Sequence, residues 1–216
     1  MSISKLQKKK NLELTQLALL SAILVVLQIL SASLVRVGLV APTLALVPMV
    51  LAGATLGIKG GVTLGAVFGA VTFICGITGL DAYTFYLFDN KPLETTLLCF
   101  LKGILAGLIG ALAFKGSMKI FKSNVLPSAL VSGMVIPVIN TFTYLLGMAL
   151  FMRDLVTDAN NSPVYSSNDA LITVMIGFAG MVLFNFILEL IVTTVCSPAV
   201  ATVLSKSKKF KKLFSK

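Results

Sequence analysis

The sequence predicts an all-α integral membrane protein of six transmembrane helices with both termini in the cytoplasm. Three observations carry that reading. Of 216 residues, 57% are hydrophobic and only 12% are charged, about half the charged fraction of an ordinary soluble domain. The mean hydropathy is +0.99, and the apolar residues gather into runs of about the ~17–25 residues that cross a bilayer as a helix. The net charge of +10 is concentrated at the ends and in short connections between the runs. Such a pattern gives one compact membrane domain over 1–216, with a basic leader at 1–11 and a basic tail at 205–216.

The leader is followed by a first span at 12–34. A signal peptide is the competing reading there, since Ser31, Ala32 and Ser33 offer small residues after an apolar region. The run is long for such a region, and five more spans follow it. A short connection at 35–41 carries Arg36. Residues 42–79 hold a single charge, Lys59, inside the glycine-rich break GIKGG. They read as a helical hairpin, with spans at 42–58 and 60–79. Gly53, Gly57, Gly61, Gly65 and Gly69 recur every four residues, so within each span they share one helix face. A face of small residues lets another backbone approach closely in lipid. The plainer reading is that transmembrane helices simply tolerate glycine.

A loop at 80–92 contains Asp81, Tyr83, Tyr86, Asp89 and Lys91. The fourth span, 93–114, has Lys102 inside it, and a basic connection follows at 115–124. The fifth span, 126–151, is interrupted at Pro137. The longest polar loop covers 152–169, and the sixth span runs from 170 to about 204, with Pro198 near its end.

Charge assigns the sides. The two ends, the GIKGG break and the 115–124 connection hold fourteen lysines, whereas the other side holds Arg36, Lys91 and Arg153 together with Asp81, Asp89, Glu94, Asp154, Asp158 and Asp169. An excess of lysine marks cytoplasmic segments, and these ends also suit an anionic lipid surface. Their position beside spans argues against nucleic acid as the partner.

Several classes are excluded or weakened. No histidine occurs, no CxxC occurs, and Cys75, Cys99 and Cys196 lie far apart in apolar runs. That predicts neither a zinc nor a haem site, no cofactor, and buried small hydrophobes at the three cysteines. No GxxxxGK[ST] phosphate loop is present to energise transport. HExxH, GxSxG and paired acids within one span are also absent, so the chain is not expected to be an enzyme. A transporter working alone is disfavoured by the want of clear inverted repeats. The nearest approach to a repeat is a faint echo between GIKGGVTLGAVFG and FLKGILAGLIGAL.

Ionisable groups inside spans are costly and mark functional candidates. Lys102 and Glu189 are the two such groups. They either pair with each other or face water, with ligand contact weighed equally for Lys102 and a structural role favoured for Glu189. Asn140, Thr141 and Tyr144 follow Pro137, and Asn185 lies midway along the last span. Asn140 and Tyr144 share a helix face. The expectation is an outward-facing pocket lined by spans four to six, suited to a small polar ligand bearing a carboxylate or several hydrogen-bonding groups. The alternative is that Asn140 and Asn185 only bond across helices.

Two stretches give the chain a family likeness. The first span, LTQLALLSAILVVL, contains Ala18-x-x-x-Ala22; the second stretch is TLALVPMVLAGATLGIKGGVTLGAVFGAVTFI. In a six-span chain with lysine-rich ends, they resemble the substrate-binding S component of energy-coupling factor (ECF) vitamin transporters. The second stretch is similar to the pantothenate-type branch. The resemblance covers nearly the whole length. It implies a subunit that captures a water-soluble vitamin from outside and delivers it inward with a separate transmembrane coupling subunit and two ATPases. Pantothenate is the first choice, with riboflavin, a thiamin precursor or cobalamin as alternatives within the family. It further implies ligand contacts from Arg36, Lys102, Asn140, Tyr144 and Asn185, docking of the coupling subunit on Ala18 and Ala22, and residence in a bacterial plasma membrane.

Overall fold

In a computed structural model, which describes residues 3–34, 43–156, 163–166 and 168–206, the chain is an all-helical bundle. The elements are α1 (Ile3–Leu34), α2 (Leu46–Ile77), α3 (Ala82–Asn90), α4 (Pro92–Ile120), α5 (Val125–Phe151), a 3-10 turn at Arg153–Leu155, and α6 (Leu171–Lys206). Among the described residues, five helices are long and apolar enough to cross a membrane, namely α1, α2, α4, α5 and α6. Their outward faces carry large hydrophobic side chains such as Ile172, Ile176, Leu183 and Val195, as contact with hydrocarbon requires.

The sequence suggested six spans, and the difference lies in α2. Its two limbs form one element because only Gly57 leaves helical geometry, at φ 68 and ψ −155. That left-handed conformation is one that glycine adopts without a Cβ penalty. The chain doubles back there. A Cβ on Gly53 would lie 3.2 Å from the Cβ of Ala111, and one on Gly61 would lie 3.0 Å from the same atom. On a straight helix these two glycines would stand about 12 Å apart at ~1.5 Å per residue. The reversal thus sits at the first glycine of GIKGG, and Lys59 is already in the returning limb. The first limb, from Leu46 to the reversal, is about 16 Å long, short of the ~30 Å hydrocarbon core.

The returning limb packs on α4 through backbone. A Cβ on Gly61 would overlap the Gly107 carbonyl, one on Gly65 the Gly103 carbonyl, and one on Gly69 would stand 2.8 Å from Cys99 O. The four-residue glycine period is therefore a contact face. Around this seam Leu24, Leu46, Met49, Leu64, Phe68, Ala106 and Ile136 form the largest buried apolar cluster. Ser132 of α5 ties in by donating to Gly110 O at 2.9 Å.

Three connections differ from expectation. Residues 80–92 are not a plain loop but contain α3. Asp81 caps it by accepting from the Tyr83 and Thr84 amides, both at 3.2 Å, and buried Leu87 anchors it to the bundle. Capping by a side-chain oxygen satisfies otherwise orphaned N–H groups. The 115–124 connection is mostly helix, because α4 continues to Ile120. Finally, α5 is unbroken at Pro137, whose ring deletes only the bond to the Gly133 carbonyl.

Charge divides the bundle end from end. Lys10 and Glu13 of α1 line one hollow with Lys59, and Gly57 lines another with Lys115 and Lys119, so the fold-back belongs to the basic end. At the other end lie Asp81, Lys91 and Asp154, with Lys91 Nζ 2.5 Å from Asp154 Oδ1.

Adding one methyl at the seam tests its tightness. Gly65→Ala is expected to destabilise the protein by about 1–3 kcal/mol through overpacking, seen as a lowered thermal midpoint in detergent. Gly116→Ala, where nothing lies within 4 Å, should be neutral or stabilise by about 0.5–1 kcal/mol through helix propensity.

Candidate functional site: a polar cavity near the acidic end

Inside the bundle is a cavity of about 60 Å³ lined by residues of every main helix. α4 contributes Lys102, which stands next to seam residue Gly103 and is therefore held against the returning limb of α2. Its Nζ lies 5.7 Å from the centroid of the Phe68 ring and 5.2 Å from that of Tyr144. An ammonium over aromatic faces is stabilised by the ring quadrupoles. This is how the cation is accommodated within an apolar helix. α5 supplies Asn140 and Tyr144 one turn apart, and α6 supplies Asn185 and Glu189 one turn apart. Asn140, Asn185 and Glu189 are all at least nine-tenths buried.

The floor is a connected set of hydrogen bonds. Thr43, just before α2, donates its amide to Glu189 Oε1 at 3.0 Å and its hydroxyl to Gln28 Oε1 of α1. The Leu44 amide donates to Ser31 Oγ at 3.2 Å. The Asn140 side chain lines the cavity beside the Glu189 carboxyl. Three parts of the chain distant in sequence meet at this carboxyl.

The roof comes from α3 and its cap: Asp81, Tyr83 and Thr84 line the cavity from above. Burial pushes the Tyr83 phenol above its ordinary pKa, against the lowering pull of a hydrogen bond with Tyr144. It therefore stays a neutral donor at physiological pH. The far end of α3 is fastened by exposed contacts. Lys91 Nζ donates to Phe151 O at 2.6 Å as well as to Asp154, and the Tyr86 hydroxyl donates to Leu155 O at 3.3 Å. Exposed pairs of this kind contribute only about 0–1 kcal/mol, so the roof is the least firmly held wall.

Four residues singled out from the sequence thus converge: Lys102, Asn140, Tyr144 and Asn185 line one space. Arg36 lies outside the described residues. Ala18 and Ala22 are elsewhere, both exposed on the outer face of α1. Glu189, for which a structural role was favoured, lines the same cavity. Gln28, Thr43, Phe68 and Thr72 also line it and were not anticipated. A glutamine one turn before Ser31 in the apolar second half of α1 was the signal available for Gln28. A larger groove of about 250 Å³ between α4 and α5 is lined almost wholly by apolar side chains such as Leu101, Phe142 and Leu146. It offers hydrocarbon contact but no polar recognition.

The chain matches no family model, no curated protein and no solved structure.

The cap of α3 gives a local test. Asp81→Ala removes acceptors for two backbone amides, a change worth about 0.5–2 kcal/mol. Hydrogen exchange at 82–90 is expected to quicken severalfold while the seam half of α4 stays protected.

Proposed function

We propose that this chain is the substrate-binding S component of an energy-coupling factor importer, taking up a water-soluble vitamin, with pantothenate as its ligand. The observation that carries this reading is the convergence of Lys102, Asn140, Tyr144 and Asn185 on one buried cavity near the acidic end. A cation, two carboxamides and a phenol match a small carboxylic acid that also bears an amide and hydroxyls. Lys102, or Arg36 from the outer connection, meets the carboxylate. Asn140 and Asn185 meet the amide and hydroxyls. The chain performs no chemistry on the vitamin. Inward release is driven by a separate coupling subunit and two ATPases, for which the exposed Ala18 and Ala22 face of α1 is the docking surface.

The same reading sets the topology: six crossings in the plasma membrane, both termini cytoplasmic and the acidic end outside. The course of the first limb of α2 supports it. Thr43 and Leu44 begin beside Gln28 and Ser31 of α1, and the limb ends at the fold-back beside Lys10 and Lys115. Residues 43–45, ahead of the first helical turn, add to the reach of that limb. The lysines at the fold-back end belong in the cytoplasm by charge bias. At about 60 Å³ the cavity is well below the ~300–1,000 Å³ of typical ligand sites, so vitamin entry requires α3 to lift.

Native mass spectrometry of the purified chain is the direct test. It should retain pantothenate, and co-expression should yield a complex with an ATPase module; a chain that moves solute unaided in liposomes would refute the reading. Calorimetry on Lys102→Ala and Arg36→Ala should show a loss of about ten- to a hundredfold in pantothenate affinity for at least one, the effect of removing a charged hydrogen bond. Unchanged affinity in both would remove the carboxylate assignment. Ala18→Trp and Ala22→Trp should abolish coupled uptake and leave vitamin binding intact, whereas wild-type uptake in both would rule out that docking face.

A further inference from the structure

Two hollows flank the fold-back at the basic end, and Leu56 and Glu13 line both of them. One, of about 410 Å³, takes Lys115 and Lys119 from the last turns of α4. The other, of about 330 Å³, takes Lys10 from α1 and Lys59 from the returning limb of α2. Apolar side chains complete the walls, Phe114 and Met118 in the first and Leu14 and Leu17 in the second. The four lysines stand at one level of the bundle. The apolar stretch of α1 begins at Lys10 and that of α4 ends at Ile120, while Lys59 follows the reversal at Gly57 by two residues. There the helices pass from hydrocarbon into the headgroup layer. Glu13 is the one acidic side chain lining either hollow, so four cations face one carboxylate. Lys115 and Lys119 are also one turn apart, where like charges repel.

We propose that the fold-back is a binding site for an anionic phospholipid: lysines of α1, α2 and α4 hold its phosphate, and the two hollows receive the first methylenes of its two acyl chains. A lysine ammonium binds phosphate as a point charge, on a stem that lies along apolar surface while its head stays in the polar layer. Basic pockets between membrane helices take such headgroups. The general attraction of lysine-rich ends to a charged surface needs no walls, whereas here three helices distant in sequence build them. A lipid in this place also braces the bundle. Among the described residues α1 packs chiefly on α2, and the bound phosphate ties it to α4 as well. The site lies apart from the polar cavity and is independent of the vitamin reading.

Native mass spectrometry of the full chain in neutral detergent, where no charged bilayer surface remains, separates a site from diffuse attraction. The chain is titrated with phosphatidylglycerol or with phosphatidylcholine of the same acyl chains. Phosphatidylglycerol is expected to bind about tenfold or more tightly, since a lysine near a lipid phosphate is worth about fivefold. Combining Lys10→Gln, Lys59→Gln, Lys115→Gln and Lys119→Gln should bring that preference below about threefold. A control chain with Lys208, Lys209, Lys211 and Lys212 changed to Gln loses as much charge from the tail and should keep the preference. Thr63→Trp fills the second hollow without removing a charge. It should weaken phosphatidylglycerol severalfold, and it carries the test should the quadruple variant fail to fold. Saturating phosphatidylglycerol should also raise the thermal midpoint of wild type and leave that of the quadruple variant unmoved. Equal affinity for the two lipids would overturn the inference and leave the lysines to an acidic protein surface. Equal losses in the site and tail variants, or wild-type binding by Thr63→Trp, would overturn it in favour of diffuse charge. Displacement of the lipid by inorganic phosphate at constant ionic strength would overturn it in favour of a free anion.

Discussion

The architecture depends on one constraint, which is that two helices touch through their backbones. Gly61, Gly65 and Gly69 meet Gly107, Gly103 and Cys99 so closely that a Cβ would collide with carbonyl groups at each level. Without a hydrophobic force between helices in lipid, close packing of small residues is what holds such pairs together. The seam also places the side chains of the cavity. Phe68 adjoins Gly69 and Lys102 adjoins Gly103, so bringing the glycines together lays the lysine over the phenylalanine ring. The cation's environment is a consequence of the packing rather than a separate arrangement.

A buried polar cavity in a membrane bundle has to account for its own hydrogen bonds, because no water in the hydrocarbon region will do so. Here the accounting runs through Thr43. It lies in the short irregular stretch before α2, where its amide is not used by helix, and it gives that amide to Glu189. Its hydroxyl reaches Gln28 of α1 and accepts from the Ala45 amide at 3.1 Å. A break in helical structure is thus tolerated because each freed group finds a side chain. Movement of the segment before α2 would be felt directly at the cavity floor.

Much of this was legible beforehand, and the residues show why. The glycine period declared a contact face, and the faint echo between GIKGGVTLGAVFG and FLKGILAGLIGAL turns out to be two surfaces that pack on each other. Lys102, Asn140, Tyr144 and Asn185 stood out because polar groups in apolar runs are costly wherever they occur. Depth along each helix then sufficed to suggest one pocket. What escaped was set by tertiary contact. The helix α3 was hidden because nine residues carry little periodicity, and its evidence is the Asp81 cap and a single buried leucine. The reversal falls inside the expected GIKGG break, two residues before Lys59 at Gly57, because any glycine of that break permits positive φ and the choice among them is made by packing. The bond between Glu189 and Thr43 joins positions 146 apart, beyond the reach of any local sequence signal.

The fold-back at Gly57 also bears on how the chain reaches the bilayer. Three turns of helix are too short to remain stably in a lipid phase on their own, and their polar neighbour Thr43 acquires its partner on α6 only when the last helix has been synthesised. The first limb is accordingly expected to leave the translocon with the second as a single hairpin, and a ribosome halted just past Lys59 would hold a nascent chain with only α1 secured.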